Sequence, residues 1–211
     1  MYFYVDFVKS VNIIMDVIKT YSSSLVIHDN TTDILQNIDL NLIIDFIETN
    51  KLLNHYPEIK VMGRNCHQRR DVGFLSDISI GYEYSNQIAK SKPLGICKLL
   101  LDNINSYFFE DFNGILINKY TDGTDYICAH SDNEKYITSS GVVILSFGAT
   151  RNFRIRDKKL KPRTIIKDIP LISGQIIQML GNFQNEFTHE IPIQKKVKDT
   201  RYSFTFRKHL K

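Results

Sequence analysis

The feature that most constrains this chain is a series of short segments in its second half. From Gly114 onward, five runs are rich in β-branched and aromatic residues: GILINKY, GVVILSF, NFRIRDK, QIIQML and RYSFTFR. Gly, Asn, Asp and Pro separate these runs. Such residues favour strands and such punctuation favours turns, so the second half is expected to form an antiparallel sandwich or jelly roll.

The first half shows helical spacing instead. Apolar residues in the first twenty positions recur as one stripe, which predicts an amphipathic helix. Asn41 to Lys51, with Asp39 as an acidic cap, predicts a second helix, and Pro93 to Phe109 predicts a third. Helices followed by strands indicate an α+β fold. A soft boundary near residue 35 would separate an N-terminal helical extension, 1–35, from a domain at 36–211.

Composition sets broad limits on the class of protein. The chain has 211 residues, 43% of them hydrophobic and 24% charged, which is ordinary for a soluble globular domain. Charged residues interrupt the apolar N-terminal stretch, so no membrane segment is expected. The chain has three widely spaced cysteines, Cys66, Cys97 and Cys128, and no Cys-x-x-Cys motif. A disulfide framework or a zinc finger is therefore not expected, and an intracellular, reducing compartment, either nucleus or cytoplasm, fits best. The net charge of +4 suits a polyanionic partner but also many unrelated proteins. We expect a monomer.

Two histidines and one aspartate offer a set of metal ligands. His130 and Asp132 lie two residues apart in an extended segment and therefore project to the same side. His189 follows much later, in the short run FTHEIP. Two imidazoles and one carboxylate can occupy one face of an octahedral iron and leave adjacent positions open. A His-x-Asp pair also arises by chance, and a lone histidine is more often packed in a loop than bound to a metal.

A second polar set accompanies the histidines. Period-two geometry places Arg201, Ser203, Thr205 and Arg207 on one strand face, with three aromatic residues on the other. Two arginines facing a cavity would bind a dianion, because guanidinium groups hold carboxylates bidentately. The alternative is a solvated edge strand. On GILINKY, Asn118 and Tyr120 share a face and either complete the anion pocket or are ordinary strand-end residues.

Taken together, these residues resemble the AlkB family of iron and 2-oxoglutarate oxygenases. The family pattern is an Asn-x-Tyr strand, His-x-Asp, a distant His, and then Arg-x-Asn-x-Thr-x-Arg, and it is met in order here. The resemblance covers roughly residues 35 to 211, with a nucleotide-recognition segment at about 58–90 and a catalytic core at about 93–211. It is strongest to the branch that repairs duplex DNA. One departure is Ser203, where the family usually has Asn, so that one hydrogen bond to the co-substrate would be lost or pass through water.

The resemblance implies a fold, an activity and a set of roles. The fold would be a double-stranded β-helix, or jelly roll, with the N-terminal helices packed on it. Fe(II) would be held by His130, Asp132 and His189, with 2-oxoglutarate and O2 as co-substrates. Arg201 and Tyr120 would grip the distal carboxylate of 2-oxoglutarate, and Arg207 and Asn118 would orient the carboxylate near the metal. The reaction would remove alkyl groups from bases such as 1-methyladenine and 3-methylcytosine in DNA and release formaldehyde and succinate.

The resemblance also implies substrate contacts. Tyr82 and Tyr84 match base-stacking aromatics, Glu134 matches a carboxylate at the base edge, and Val61 and Met62 match an apolar wedge beneath an extruded nucleotide. Basic residues cluster near these positions, with Arg70 beside the candidate hairpin and a second run in which Arg154, Arg156 and Lys158 would line one face of an extended segment. Arg70 and Arg156 are therefore expected to bind the substrate, the second run through its phosphates, although a charge run is usually just a solvated face. These residues are otherwise ordinary strand, turn and surface positions.

Two alternative functions stay open. The same oxygenase chemistry could act on RNA or on a protein side chain, because an aromatic pocket does not separate DNA from RNA. A non-catalytic nucleic-acid-binding module is the other alternative, and Ser203 is the feature that favours it.

Overall fold

The computed structural model describes residues 14–20, 22–28, 31–61, 63–79, 81–84, 87–132, 141–160 and 164–209. Within these ranges the helices are α1 (Leu40–Thr49), α2 (Cys97–Phe108) and the short α3 (Phe183–Glu186). The strands are β1 (Ile14–Lys19), β2 (Ser23–His28), β3 (Glu58–Val61), β4 (Arg64–His67), β5 (Asp71–Leu75), β6 (Gly81–Tyr84), β7 (Gln87–Lys90), β8 (Gly114–Tyr120), β9 (Ile127–His130), β10 (Val142–Gly148), β11 (Arg151–Asp157), β12 (Lys167–Leu171), β13 (Ile176–Gly181), β14 (Phe187–Ile191) and β15 (Arg201–Arg207).

Two antiparallel sheets form the body of the protein. The major sheet has seven strands in the order β1-β2-β13-β10-β15-β8-β5, and the minor sheet has four in the order β12-β11-β14-β9. Every pairing within them is antiparallel. The hairpins β3-β4 and β6-β7 lie outside these sheets, in the segment expected to recognise nucleotides. The β-rich second half predicted from sequence is confirmed, and the arrangement of two antiparallel sheets is consistent with a jelly roll.

The hydrophobic core has two parts, one on each face of the major sheet. One cluster joins the two sheets and includes Ile144 and Ile177 from the major sheet and Phe153 and Ile155 from the minor sheet. The other joins α1 and α2 to the opposite face of the major sheet, where the aromatic side chains of β15 are buried. Strand alternation therefore directs one face of β15 to the helices and leaves its polar face directed between the sheets.

Helices α1 and α2 occur where the sequence indicated them. The carboxylate of Asp39 caps α1 by accepting hydrogen bonds from the backbone N–H groups of Asn41 and Leu42. Helix α2 begins at Cys97 rather than at Pro93, because Gly95 adopts a left-handed φ of 52°, which a right-handed helix cannot contain. Of the helices in the described ranges, none combines the length and apolar content needed to span a membrane.

The helix predicted over the first twenty residues is wrong where the structure describes it. Residues 1–13 lie outside the described ranges, and Ile14–Lys19 is strand β1, paired with β2. Strand β2 in turn pairs along its length with β13 of the major sheet. Ile14, Val17 and Ile18 are β-branched, and a neighbouring strand edge offers backbone groups to pair with, so sheet formation prevails over helical periodicity. The boundary near residue 35 stays a prediction.

Candidate metal and co-substrate site

The three candidate metal ligands lie together between the two sheets. His130 ends β9, Asp132 follows it by two residues, and His189 lies in the middle of β14, where it pairs directly with His130 across the strands. Nε2 of His130 is 3.6 Å from Oδ1 of Asp132, and Nε2 of His189 is 3.6 Å from Oδ2 of Asp132. The potential ligand atoms all lie within 4.8 Å of one another. One ion could therefore contact all three side chains.

Neighbouring groups fix the orientation of these ligands. The ring of His130 donates from Nδ1 to the carbonyl of Cys128 at 2.9 Å, so Nε2 is the ring nitrogen whose lone pair can bind a metal. The His189 ring stacks on Phe153 with centroids 5.0 Å apart and planes 19° from parallel. The backbone N–H of Asp132 donates to Oε1 of Gln184 at 2.8 Å. Each ligand thus has its own support outside the triad.

The protonation states of the triad suit a divalent cation. Burial lowers the pKa of His130, and it lowers the pKa of His189 to about 3. Burial alone would raise the pKa of Asp132, but the charge and hydrogen bond of Arg207, together with the charge interactions of His189 and His130, outweigh burial and keep the pKa below its ordinary value. Near neutral pH the site therefore presents two neutral imidazoles and one carboxylate, which is the form in which these groups bind a metal.

A cavity lined by buried arginine side chains adjoins the triad. Arg201 is 1% exposed, donates from Nε to Oγ of Ser146 at 3.0 Å and is hydrogen-bonded to Tyr120. Burial lowers the pKa of Arg201 to about 10. Within the described part of the chain, Nη1 of Arg201 and Oδ2 of Asp132 are buried without a hydrogen-bond partner. A buried guanidinium with an unused donor is costly unless an anion satisfies it, so the pocket fits a carboxylate beside the metal ligands.

The remaining predicted co-substrate residues line the same cavity. Nη2 of Arg207 lies 2.6 Å from Oδ1 of Asp132 and so links the arginine strand to the metal ligands. Ser203 is buried and stands opposite Asn118 on β8 and Ser146 on β10. The residues that line the cavity are Arg70, Leu116, Asn118, Tyr120, Ile127, His130, Asp132, Ile144, Phe153, His189, Ile191, Arg201, Ser203, Thr205 and Arg207. The predicted division of β15 into a polar and an aromatic face is therefore confirmed.

The residues predicted to contact the substrate do not all lie in this cavity. Arg70 is buried in this cavity, where its Nε donates to Oδ1 of Asn118 at 2.7 Å, rather than lying on the surface beside the hairpin. Val61 ends β3 next to the β3-β4 turn, and Tyr82 and Tyr84 lie on β6. Met62 and Glu134 lie outside the described residues.

The second basic run is largely paired with carboxylates. Arg156 donates from Nη2 to Oε1 of Glu190 at 2.7 Å, and Arg154 donates from both Nε and Nη2 to Asp168 at 2.7 Å. The prediction that these arginines line one strand face is confirmed, because Phe153 and Ile155 on the other face are buried. Their positive charge is nevertheless offset locally, so a phosphate would have to compete with Glu190 and Asp168.

Two residues that support the site, Phe153 and Arg151, were not predicted from the sequence. Phe153 stacks on His189, and Arg151 is fully buried behind the pocket. A signal for Arg151 was present in RNFRIRD, since alternation places this arginine on the same face as Phe153 and Ile155. An arginine at a core-facing position needs buried acceptors, and so indicates a structural or functional constraint.

Similarity to known proteins agrees with this geometry. Residues 37–207 match the family model described as the 2OG-Fe(II) oxygenase superfamily. The human protein named DNA oxidative demethylase ALKBH2 is 30% identical over 159 residues, which cover 72% of this chain and 61% of the human protein. The rat protein named Alpha-ketoglutarate-dependent dioxygenase alkB homolog 3 is 34% identical over 136 residues, which cover 60% of this chain and 46% of the rat protein. This chain thus matches less than two thirds of either relative's length.

The fold has a counterpart among solved structures. The structure of OsALKBH1 superposes with a TM-score of 0.57 at 18% sequence identity, covering 87% of this chain and 97% of that chain. At this level of identity the likeness concerns the fold alone.

Proposed function

This chain belongs to the 2OG-Fe(II) oxygenase superfamily, and from that premise we propose that it oxidatively removes N-alkyl groups from DNA bases. It is an AlkB-type dioxygenase that depends on Fe(II) and 2-oxoglutarate. The proposed substrates are bases such as 1-methyladenine and 3-methylcytosine, with formaldehyde and succinate as products. The observation that carries the proposal is one cavity that holds His130, Asp132, His189 and the buried Arg201 with its unused donor.

In the proposed arrangement, the residues of this cavity divide into two groups. His130, Asp132 and His189 would hold the iron, which with bound 2-oxoglutarate and O2 would supply oxidation of the N-alkyl C–H bond. Arg201 and Tyr120 hold the distal carboxylate of 2-oxoglutarate, and Arg207 with Asn118 orients the carboxylate nearer the metal. A guanidinium at each end suits a dicarboxylate better than a monocarboxylate.

The neighbouring residues exclude water and fix the hydrogen-bonding polarity of the pocket. One wall of the cavity is apolar and is formed by Ile127, Ile144 and Ile191. Because apolar surroundings lower the local dielectric constant, this wall strengthens the attraction between the arginines and a dianion. Nε of Arg70 donates to Oδ1 of Asn118, and this hydrogen bond fixes the orientation of the Asn118 amide. Its NH2 group is the part that can donate to a carboxylate. Ser203 and Thr205 contribute hydroxyl groups to the same wall.

Support for a DNA base as the substrate comes from the relatives and from the hairpins. The human relative is named a DNA oxidative demethylase. Hairpin β3-β4 carries Val61, and hairpin β6-β7 carries Tyr82 and Tyr84. Val61 and Met62 are proposed to wedge the duplex, and Tyr82 and Tyr84 to stack on the base. Glu134 is proposed to contact the base edge, and Arg70 and Arg156 to contribute to substrate binding. A DNA partner and free thiols at all three cysteines, each of which is described, fit a reducing nuclear or cytoplasmic location.

Turnover on defined oligonucleotides tests the proposal. The iron-loaded protein is incubated with 2-oxoglutarate and DNA that contains 1-methyladenine or 3-methylcytosine, and both succinate and repaired base are measured. Matched duplex DNA, single-stranded DNA, RNA and methylated peptide arms identify the substrate class. Faster turnover of RNA or peptide than of DNA would reassign the substrate. Persistence of every methylated base without succinate, while a known dealkylase works, would refute the activity.

Substitution of the carboxylate ligand tests the site itself. Asp132→Ala is expected to lower turnover more than roughly 100-fold, because ligand removal opens the metal site, yet to bind duplex DNA within about threefold of the unmodified protein. Asp102→Ala, which removes an exposed carboxylate of α2, is the matched control and should keep full turnover. Equal activity of Asp132→Ala and the unmodified protein would contradict the proposed iron role.

A further inference from the structure

A fully buried arginine lies behind the co-substrate pocket without lining it. Arg151 begins β11 and is 0% exposed. Strand alternation directs its side chain to the core with Phe153 and Ile155, whereas its neighbour Arg154 points to the outer face and pairs with Asp168. Burial of a guanidinium is unfavourable unless its donors are satisfied, so the surroundings of Arg151 must supply several acceptors.

Those acceptors come from two loops. One loop precedes the strand that ends at His130, and the other follows the strand that carries His189. Nη1 donates to the carbonyl of Asp122 at 2.8 Å, and Nη2 donates to the carbonyls of Asp125 and Pro192, both at 2.8 Å. Nε donates to Oε1 of Gln194 at 3.2 Å. The loop that contains Asp122 and Asp125 joins β8 to β9, whose last residue is His130. The loop that begins at Pro192 joins β14, which carries His189, to β15.

The same guanidinium also contacts an anchor proposed for the co-substrate. Cζ of Arg151 lies 5.7 Å from the ring centroid of Tyr120, and Cζ of Arg201 lies 5.4 Å from it. Tyr120 is 2% exposed, so its ring is confined by both guanidinium groups within the core. Each makes a favourable cation–π contact with the ring. The positive charge of Arg151 also adds to the potential that attracts a dianion to Arg201 and Tyr120.

We propose that Arg151 is a positioning residue for 2-oxoglutarate: it bridges the 121–126 and 192–194 loops and confines Tyr120 so that Tyr120 and Arg201 meet the distal carboxylate together. This inference rests on the proposed function. Arg151 is distinct from the catalytic residues because it does not reach the cavity. Its effect is expected on the affinity for 2-oxoglutarate, with little effect on the rate once the site is saturated.

Calorimetric titration of 2-oxoglutarate into the Mn(II)-loaded protein measures this affinity without turnover. Arg151→Lys keeps the charge but loses the planar fork, and we expect its dissociation constant to rise roughly tenfold, as for the loss of one or two hydrogen bonds. The KM for 2-oxoglutarate should rise in parallel, while kcat and the KM for methylated DNA stay within about twofold. Arg154→Lys, on the opposite face of the same strand, is the control and should bind 2-oxoglutarate like the unmodified protein.

A second variant guards against failure of Arg151→Lys to fold. Gln194→Met removes one acceptor of Arg151 and leaves its three carbonyl partners, so the dissociation constant should rise about threefold. Unchanged affinity in a folded Arg151→Lys or in Gln194→Met would overturn the inference, and so would equal losses of affinity for Mn(II), 2-oxoglutarate and DNA. If the unmodified protein itself failed to bind 2-oxoglutarate, the proposed function would fall and this inference with it.

Discussion

Gly123 lies where the two loops that flank the metal ligands pack against each other. Its N–H donates to the carbonyl of Val197 at 2.9 Å, and its carbonyl accepts from the N–H of Gln194 at 2.8 Å. A Cβ atom at this position would lie 1.9 Å from the carbonyl oxygen of Gln194 and 2.9 Å from that of Val197. Both obstacles are backbone atoms, so rotation of a side chain cannot relieve the collision. Gly123→Ala is therefore expected to push the two loops apart.

The cost follows from the contacts that would be lost. Two backbone hydrogen bonds contribute about 1 kcal/mol each, and forced separation of packed atoms costs about 1–3 kcal/mol more. The free energy of unfolding should thus fall by roughly 3–5 kcal/mol. For a chain of this length that corresponds to a melting temperature lower by roughly 10 °C.

Urea unfolding followed by circular dichroism measures the change. Gly174→Ala is a matched control: Gly174 has a left-handed φ of 82° but no atom within 4 Å of a Cβ, so substitution there adds backbone strain without collision. We expect Gly174→Ala to cost about 1 kcal/mol, and Gly123→Ala at least twice as much. Equal destabilisation by the two substitutions would refute the proposed steric role of Gly123.

Three further substitutions test other parts of the structure. Burial lowers the pKa of His209 from 6.5 to about 4, so the unfolded chain binds a proton between these pH values that the folded chain excludes. The free energy of unfolding should fall by about 3 kcal/mol as pH drops through this window. His209→Phe should remove that part of the pH dependence, as measured by urea titrations at a series of pH values. An identical change of the free energy of unfolding with pH in the variant and the unmodified protein would contradict this prediction. Phe153→Leu removes the ring stacked on His189 and should weaken Mn(II) binding by calorimetry roughly tenfold, whereas unchanged affinity would exclude a role for the stack. Ser203→Asn restores the family amide opposite Asn118 and should tighten 2-oxoglutarate binding roughly fivefold through one added hydrogen bond; weaker binding would show that the pocket is built around serine.

The strands and the metal ligands could be predicted from sequence because their signals are local. Period-two alternation in RYSFTFR separates polar from aromatic side chains, and the structure directs the polar ones to the cavity and the aromatic ones to the helices. The short spacing of His130 and Asp132 likewise fixes their relative direction in an extended chain. His189 could be named as a candidate from its residue type and its short run FTHEIP, but its distance along the chain carries no geometric information, and only the resemblance to a known family placed it with His130 and Asp132.

Contacts between distant segments could only be decided by the tertiary structure. Residues 14–19 show helical spacing, yet they pair with β2, because a strand edge offers hydrogen bonds that an isolated periodic pattern cannot reveal. Arg70 looks like a surface cation in sequence but is buried against Asn118, and Arg156 looks free but is paired with Glu190. The environment of a charged side chain depends on which partners the fold brings to it, and this environment determines whether the charge binds a substrate, holds another residue or is neutralised.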